Sequence, residues 1–230
     1  DGVLLIPARE SCAAGAGAAL REDVERVTCP VVLIDRLTQC GWCDAVGFDN
    51  YLGGRLAAQY LLEGGHKRIG IVTGDVAESS AADRRRGFVD AIEQAGERFD
   101  PALCVSGDYR FDGGYHAADQ IIDGKTPAVF CCNDVMALGF RQRMAERGLH
   151  VTEDMQVIGY DNILRRFGLG LRMTTVEQSV VDLAAAGWGM LGSRIDAVVR
   201  GDGDSGAGRP WLASPQVKVL TPKLVQAACA

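Results

Sequence analysis

The segments VFCCND at residues 129–134 and VIGYDN at residues 157–162 decide the fold, because each places polar residues directly after a short apolar run. Neither run alternates between apolar and polar residues, which is typical of a strand covered on both faces of a parallel sheet. The helical pattern between them, residues 136–147, ends with cationic Arg147 and a glycine. The spacing predicts a strand-helix-strand unit with both polar pairs at the ligand-binding edge of the sheet.

The rest of the chain repeats this alternation of strands and helices. Strands are predicted at residues 3–6, 31–34, 45–48, 69–72, 101–105 and 217–220, and helices at residues 16–27, 51–63, 83–95, 113–122 and 180–199. A glycine-, aspartate- and serine-rich loop follows at residues 201–210. The pattern predicts an α/β fold with parallel sheets and right-handed crossovers.

The composition indicates a soluble globular protein. Apolar residues make up 47% of the chain and charged residues 23%, with a formal net charge of −6. This acidic balance argues against a broad phosphate-binding face, although a separate domain could still bind DNA. No apolar stretch approaches the ~20 residues that span a bilayer, so no membrane partner is expected.

Eight cysteines follow no regular spacing, which favours a reducing, cytoplasmic setting. Cys40 and Cys43 form a CxxC motif that could bind zinc, catalyse disulfide exchange or carry free loop thiols. Zinc requires four ligands, and no second CxxC or histidine pair lies nearby in sequence. We therefore favour free thiols and expect neither a metal nor a cofactor.

A set of short phrases in fixed order resembles the lactose/galactose repressor (LacI/GalR) family, specifically its effector-binding module. The phrases are DGVLLIP (1–7), VVLIDR (31–36), DN with GG (49–54), GHKRIG (65–70), Arg84 with GF (87–88), GDY (107–109), NDVMALG (133–139), VIGYDN (157–162) and TTVEQ (174–178). The set extends over nearly the whole chain. Any one phrase is a weak signal, whereas the ordered set is a strong one.

The resemblance implies two Rossmann-like lobes of the type I periplasmic-binding-protein kind, with ligand held in the cleft. One lobe would comprise residues 1–66 plus 178–214, and the other residues 67–177 plus 215–230. The family also has a DNA-binding helix-turn-helix headpiece and further β/α units ahead of the equivalent of Asp1. Because Asp1-Gly2 enters a strand without an initiator methionine, we expect this chain to be a fragment with an incomplete first lobe.

The resemblance places Arg84 at the pocket arginine of the family. A guanidinium presents a planar fork of donors to two ligand oxygens, which suits this role. A run of three arginines is more often a solvated helix face, and we assign Arg85 and Arg86 to that surface. Asp161 follows its strand directly, and its carboxylate could accept from ligand hydroxyls, pair with Arg84, or cap the next segment.

Three further residues complete the candidate ligand site. Asn133 carries a donor and an acceptor on one amide, which suits a hydroxyl, whereas Asp134 is expected to cap the following helix. Tyr109 offers an aromatic face for a ring or is an ordinary half-buried loop residue. Asp49 ends a strand of the first lobe and either contacts ligand or caps the helix that follows.

The resemblance implies an effector-sensing, dimer-forming module of a bacterial transcriptional regulator in the cytoplasm. Its effector would be a sugar or a related polyhydroxyl compound, and a missing headpiece would bind operator DNA. The alternative is a solute-binding protein of a sugar transport system, which shares the architecture. An enzyme is not expected, because the three histidines lie beside no nucleophile motif and no GxGxxG follows a strand.

Overall fold

The computed structural model describes residues 1–8, 17–37, 41–166, 173–201 and 214–227. The chain forms two compact units. Unit 1 comprises Asp1–Asp49, Ala77–Ser79 and Ser179–Thr221, and unit 2 comprises Asn50–Val76, Ser80–Gln178 and Pro222–Ala230. Cys40 and most of the predicted loop at 201–210 lie outside the described residues.

The predicted alternation of strands and helices is observed along the chain. In order, the elements are β1 (Val3–Leu5), α1 (Gly17–Arg26), β2 (Val31–Asp35), β3 (Asp44–Phe48), α2 (Asn50–Glu63), β4 (Ile69–Thr73), α3 (Ser79–Gln94), β5 (Cys104–Ser106), α4 (Phe111–Asp123), β6 (Ala128–Cys131), α5 (Asp134–Glu146), β7 (Gln156–Asp161), α6 (Ile163–Arg166), β8 (Thr175–Glu177), α7 (Val180–Arg200), β9 (Val217–Leu220) and β10 (Lys223–Val225). A 3-10 turn, Pro101–Leu103, occupies most of the strand predicted at 101–105.

Unit 1 is built on a parallel sheet with strand order β1-β2-β3-β9. Successive residues of β2 point to opposite faces. Leu33 packs in a cluster with Leu20 and Val24 of α1, which are four residues apart, whereas Val32 packs with Leu183 of α7. The sheet is thus covered on both faces, as its unalternating apolar strands predicted.

Unit 2 contains a sheet with strand order β10-β8-β7-β6-β4-β5, in which all neighbours are parallel except β10 and β8. Strands β6 and β7 correspond to the two segments that decide the fold, and Val129 pairs in register with Val157. Their polar ends therefore share one edge of the sheet. The predicted α/β class with parallel sheets is confirmed.

Glycines allow two helix pairs of unit 2 to touch at the backbone. A Cβ on Gly54 of α2 would lie 2.0 Å from the carbonyl oxygen of Arg84 in α3. A Cβ on Gly139 of α5 would lie 2.0 Å from the carbonyl oxygen of Phe111 in α4. Only glycine permits such close approach, so these positions fix the separation of the paired helices.

The division into units differs from the expected lobes at residues 50–66, 77–79, 178 and 215–221. The two longer segments show why. Residues 50–66 were expected in the first lobe, but α2 buries Ala57, Ala58 and Leu61 in the core of unit 2. Residues 215–221 were expected in the second lobe, but β9 pairs with β3 in unit 1. Both segments have the anticipated secondary structure, and the correction concerns only the sheet that each one joins.

We expect that replacing Gly189, an exposed glycine of α7, with alanine stabilises the protein. A Cβ on Gly189 meets nothing within 4 Å, so Gly189→Ala should raise the free energy of unfolding by ~0.5–1 kcal/mol through helix propensity. Gly87→Ala in α3 is the matched comparison, because its Cβ would lie 2.0 Å from the carbonyl oxygen of Tyr51. That variant should lose ~1–3 kcal/mol. Urea unfolding monitored by circular dichroism measures both, and a destabilised Gly189→Ala would contradict the placement of α7.

Candidate functional site

Arg84 is buried in α3 and is held by three hydrogen bonds within unit 2. Its Nε donates to Asn50 Oδ1 at 2.8 Å, Nη1 to the carbonyl oxygen of Cys132 at 2.6 Å, and Nη2 to Gln178 Oε1 at 3.4 Å. The side chain is only 8% exposed. These bonds use three of the five N–H groups and leave one on each terminal nitrogen for a further acceptor.

The guanidinium lies on an aromatic face and beside a carboxylate. Its central carbon is 3.8 Å from the ring centroid of Tyr160 and 5.9 Å from that of Tyr109. Nη2 lies 3.7 Å from Asp161 Oδ1. Burial disfavours the charged form of Arg84, but electrostatic interactions with Tyr160, Asp161 and Tyr109 outweigh it and hold the pKa above its usual value. The site therefore contains a fixed cation.

The other two arginines of the run do not enter this site. Arg85 and Arg86 are exposed, as the sequence predicted. Arg86 Nη2 pairs with Asp83 Oδ1 at 2.9 Å across one turn of α3. The helix thus turns only Arg84 toward the sheet, where its neighbours Gly87 and Phe88 are also buried.

Asp161 ends β7 in a left-handed turn. The φ angles of Asp161 and Asn162 are 92° and 56°, a region that non-glycine residues rarely adopt. The Asp161 side chain is 30% exposed. The amide of Ile163, which begins α6, donates to Asp134 Oδ2 at 2.8 Å. Asp161 lies beside Arg84, as one of its interpretations expected, and its contact with ligand stays a prediction.

The cap of α5 is Asn133 and not Asp134, which the sequence had suggested. Asn133 is the N-cap of α5, with Oδ1 accepting from the amide of Met136 at 2.8 Å, and its Nδ2 donates to the carbonyl oxygen of Tyr109 at 3.1 Å. The expectation that Asp134 caps this helix was wrong. Asp134 is buried and accepts from Thr175 Oγ1 and the Ile163 amide, both at 2.8 Å. It therefore anchors the turn that carries Asp161.

The pKa of Asp134 reflects this position. Burial raises its pKa, and hydrogen bonds from Thr175 and from the amides of Ile163 and Leu164 offset part of the rise. A Cβ on Gly159 would lie 2.2 Å from Asp134 Oδ1. A side chain at Gly159, in the phrase VIGYDN, would therefore clash with the Asp134 carboxylate that lies against β7.

Tyr109 follows β5 in a turn in which Asp108 and Tyr109 both have positive φ angles, 51° and 59°. Its ring occupies the space beside Gly74, where a Cβ would lie 2.0 Å from Tyr109 Cε2. The ring is half-buried beside Arg84. The structure thus brings four of the five predicted site residues, Arg84, Asp161, Asn133 and Tyr109, to one edge of the unit 2 sheet.

The fifth, Asp49, directly follows β3 in unit 1. Its amide donates to the carbonyl oxygen of Leu220 at 2.9 Å, and α2 begins at the next residue. Both interpretations of its side chain, ligand contact and helix cap, stay open.

Sequence analysis missed Tyr160, Asn50 and Gln178. Tyr160 reads as one more apolar residue of a buried strand, yet its hydroxyl reaches the position that a side chain on Gly53 would occupy. Burial raises the pKa of Tyr160 to about 12, which keeps the phenol neutral. Asn50 and Gln178 lie within the phrases DN and TTVEQ of the family resemblance, and this position was the available signal for them.

A separate cavity of about 430 Å³ lies at the amino end of β4 and is lined by Arg68, Arg98, Phe99, Asp100 and Pro101. Arg68 pairs with Asp100 at 2.9 Å. Among the described residues, no cluster of three or more histidine, cysteine, aspartate or glutamate side chains could hold a metal ion. In the same part of the chain, no helix is long and apolar enough to cross a membrane.

The sequence of this chain matches the family of periplasmic binding protein-like domains over residues 58–218. The chain belongs to this family. It is 37% identical over 169 residues to the HTH-type transcriptional repressor PurR of Pasteurella multocida (strain Pm70). The matched region is 73% of this chain and 51% of the repressor. The chain thus spans about half the length of the curated relatives it matches.

Solved structures of the periplasmic binding protein-like family superpose on nearly the whole chain. The transcriptional regulator CelR in complex with cellobiose has a TM-score of 0.79 at 28% identity and covers 99% of this chain and 65% of its own. A LacI family regulator from Enterococcus faecium with bound ribose has the same TM-score at 24% identity. The match covers 99% of this chain and 78% of that regulator. These matches support the LacI/GalR type for the chain, and both named relatives, PurR and CelR, are transcriptional regulators.

Proposed function

We propose that this chain is the small-molecule sensing and dimerisation module of a bacterial DNA-binding transcriptional regulator. The observation that carries the proposal is the pair formed by Arg84 and Asp161, whose Nη2 and Oδ1 atoms are 3.7 Å apart. The Arg84 guanidinium lies over the ring of Tyr160. The pair lies at the carboxyl edge of a parallel sheet, where such folds bind ligands. Arg84, Asp161, Asn133 and Tyr109 are the proposed ligand contacts of unit 2, and Asp49 is the candidate of unit 1. The module performs no catalytic step and needs no cofactor.

The proposed effector is a sugar or a related polyhydroxyl compound. The free N–H groups of Arg84 suit ligand oxygens, and the half-exposed carboxylate of Asp161 suits paired hydroxyl donors. The half-buried ring of Tyr109 offers an apolar face to a sugar ring. Cellobiose and ribose in the solved relatives are consistent with this class.

We further propose that the complete protein is a cytoplasmic homodimer that binds operator DNA through a headpiece outside this chain. Effector binding would favour one conformation of the protein over another and so change its affinity for DNA. Light scattering of the complete protein at micromolar concentration should give twice the mass of one chain. A strictly monomeric protein would favour the solute-binding alternative.

A thermal-shift screen of sugars, nucleobases and their phosphates on the complete protein tests the proposed function. A compound present at 100 times its dissociation constant adds ~2.7 kcal/mol to stability, which gives a shift of several degrees. A stabilising compound should also change retention of the protein on DNA fragments from its own promoter region. Stabilisation without any effect on DNA retention, in a protein that has a signal peptide and lacks a helix-turn-helix, would identify a transport protein instead.

A further inference from the structure

Two residues that hold the Arg84 side chain lie where the chain passes between its two units. The chain leaves unit 1 at Asp49 and enters unit 2 at Asn50, and it leaves unit 2 at Gln178 and returns to unit 1 at Ser179. The chain passes between the units at five points, and we use the names first and second crossover for these two only. Asn50 and Gln178 are 128 residues apart in sequence, yet both contact the same guanidinium.

The contacts form a closed ring of hydrogen bonds. Arg84 Nε donates to Asn50 Oδ1 at 2.8 Å, and Arg84 Nη2 donates to Gln178 Oε1 at 3.4 Å. Gln178 Nε2 then donates to the same Asn50 Oδ1 at 3.1 Å and approaches the Tyr160 hydroxyl at 3.2 Å. Each of the three polar side chains therefore depends on the other two for its orientation.

Two members of the ring, Arg84 and Gln178, are shielded from water, as is the neighbouring Tyr160, whereas Asn50 is half-buried. Arg84 is 7% exposed, Gln178 9% and Tyr160 0%. A buried amide that loses its partner cannot replace it with solvent, so movement at one member of the ring has to be matched by the others. Arg84 cannot shift toward a new acceptor without disturbing Asn50 and Gln178.

We infer that Asn50 and Gln178 are positioning residues that link the Arg84 side chain to the first and second crossovers. Neither needs to touch the ligand, because both act through the guanidinium. The regulatory meaning of this link rests on the proposed function, since it would carry effector occupancy at Arg84 to the two crossovers. The link itself exists without ligand and can be measured without one.

Hydrogen exchange of the complete, ligand-free protein tests the link. Arg84→Met removes both hydrogen bonds that Arg84 donates within the ring while keeping a long side chain. Backbone exchange in peptides covering residues 47–52 and 176–181 should become at least tenfold faster at both crossovers.

Arg55→Met is the matched control, because Arg55 lies on α2 and donates to exposed Gln94. Its guanidinium also lies 5.9 Å from the centroid of the Tyr51 ring, near the outer limit for a cation–π interaction. Exchange at the crossovers should stay within twofold in that variant.

Gln178→Leu provides a second and independent variant. The change is made at the second crossover, and the predicted effect is faster exchange at the first, through Asn50. The Arg84 Nε–H resonance in a nitrogen-15 spectrum should also shift in this variant, because Asn50 Oδ1, its acceptor, loses the hydrogen bond from Gln178. Arg55→Met should leave that resonance unchanged.

Two results would overturn the link. One is crossover exchange within twofold of wild type in well-folded Arg84→Met and Gln178→Leu proteins. The other is acceleration equal to that of the buried strand β4, which would indicate general destabilisation. If both variants accelerate exchange at the crossovers but no compound binds at Arg84, the proposed function is wrong and the link is kept. If a compound binds at Arg84 but exchange at the crossovers is unaffected in the variants, the link is wrong and the proposed function is kept.

Discussion

Replacing Arg84 with alanine should weaken effector binding by about 30-fold to 1000-fold. The substitution removes a fork of donors and leaves ligand oxygens unpaired in a buried site, a loss of ~2–4 kcal/mol of binding free energy. Arg85→Ala is the matched control, because Arg85 is exposed on the same helix. Its affinity should remain near that of wild type. Isothermal titration calorimetry with the compound selected by the thermal-shift screen measures both variants.

Affinity for the effector should likewise differ between variants of a carboxylate in the site and of one outside it. Asp161→Ala should lower affinity, whereas Asp83→Ala should not, because Asp83 pairs with Arg86 on the exposed face of α3. Circular dichroism has to show that each variant is folded, since Arg84 also supports Asn50 and Gln178. A well-folded Arg84→Ala protein that binds within threefold of wild type would show that the pocket lies elsewhere.

Replacing Asp134 with alanine should lower the free energy of unfolding by about 3 kcal/mol. The change leaves the amides of Ile163 and Leu164 and the hydroxyl of Thr175 without their buried acceptor, and each such loss amounts to ~1–3 kcal/mol. Asp112→Ala is the control, because Asp112 is an exposed acid in the first turn of α4. It should lose at most ~1 kcal/mol, the usual effect of the helix dipole.

Urea unfolding monitored by circular dichroism distinguishes the two variants. Because Asp134 anchors the turn containing Asp161, its loss should also weaken effector binding in the fraction that stays folded. Equal stability of Asp134→Ala and Asp112→Ala would mean that Asp134 does not hold that turn.

The sequence was most informative where local pattern and tertiary structure agree. The apolar runs at 129–132 and 157–160 predicted buried strands of a parallel sheet, and β6 and β7 lie side by side. The polar residues after them consequently share one edge. Arg84, Asp161, Asn133 and Tyr109 meet there, as the resemblance implied, although their contacts with ligand stay predictions.

The division of the chain between units could not be predicted from local pattern. The apolar face of α2, with Ala57 and Leu61, identifies an amphipathic helix but carries no information about which sheet it covers. Strand β9 likewise has a strand pattern, but its pairing with β3 depends on contacts far along the chain. Both assignments depend on tertiary packing.

The roles of neighbouring polar residues were also beyond sequence analysis. Asn133 and Asp134 are both good helix caps, and only the depth of the second carboxylate beneath Gly159 assigns the cap to Asn133. Gln178 lies at the end of a recognisable phrase, yet its part in holding Arg84 depends on a neighbour 94 residues away. Such roles follow from three-dimensional contacts alone.

A crystal structure of the complete protein with the compound selected by the thermal-shift screen tests the central claim most directly. The account predicts a ligand oxygen within about 3.2 Å of Arg84 Nη1 or Nη2, with a hydroxyl of the same ligand donating to Asp161. A compound bound away from both residues, for instance in the cavity lined by Arg68 and Arg98, would contradict it.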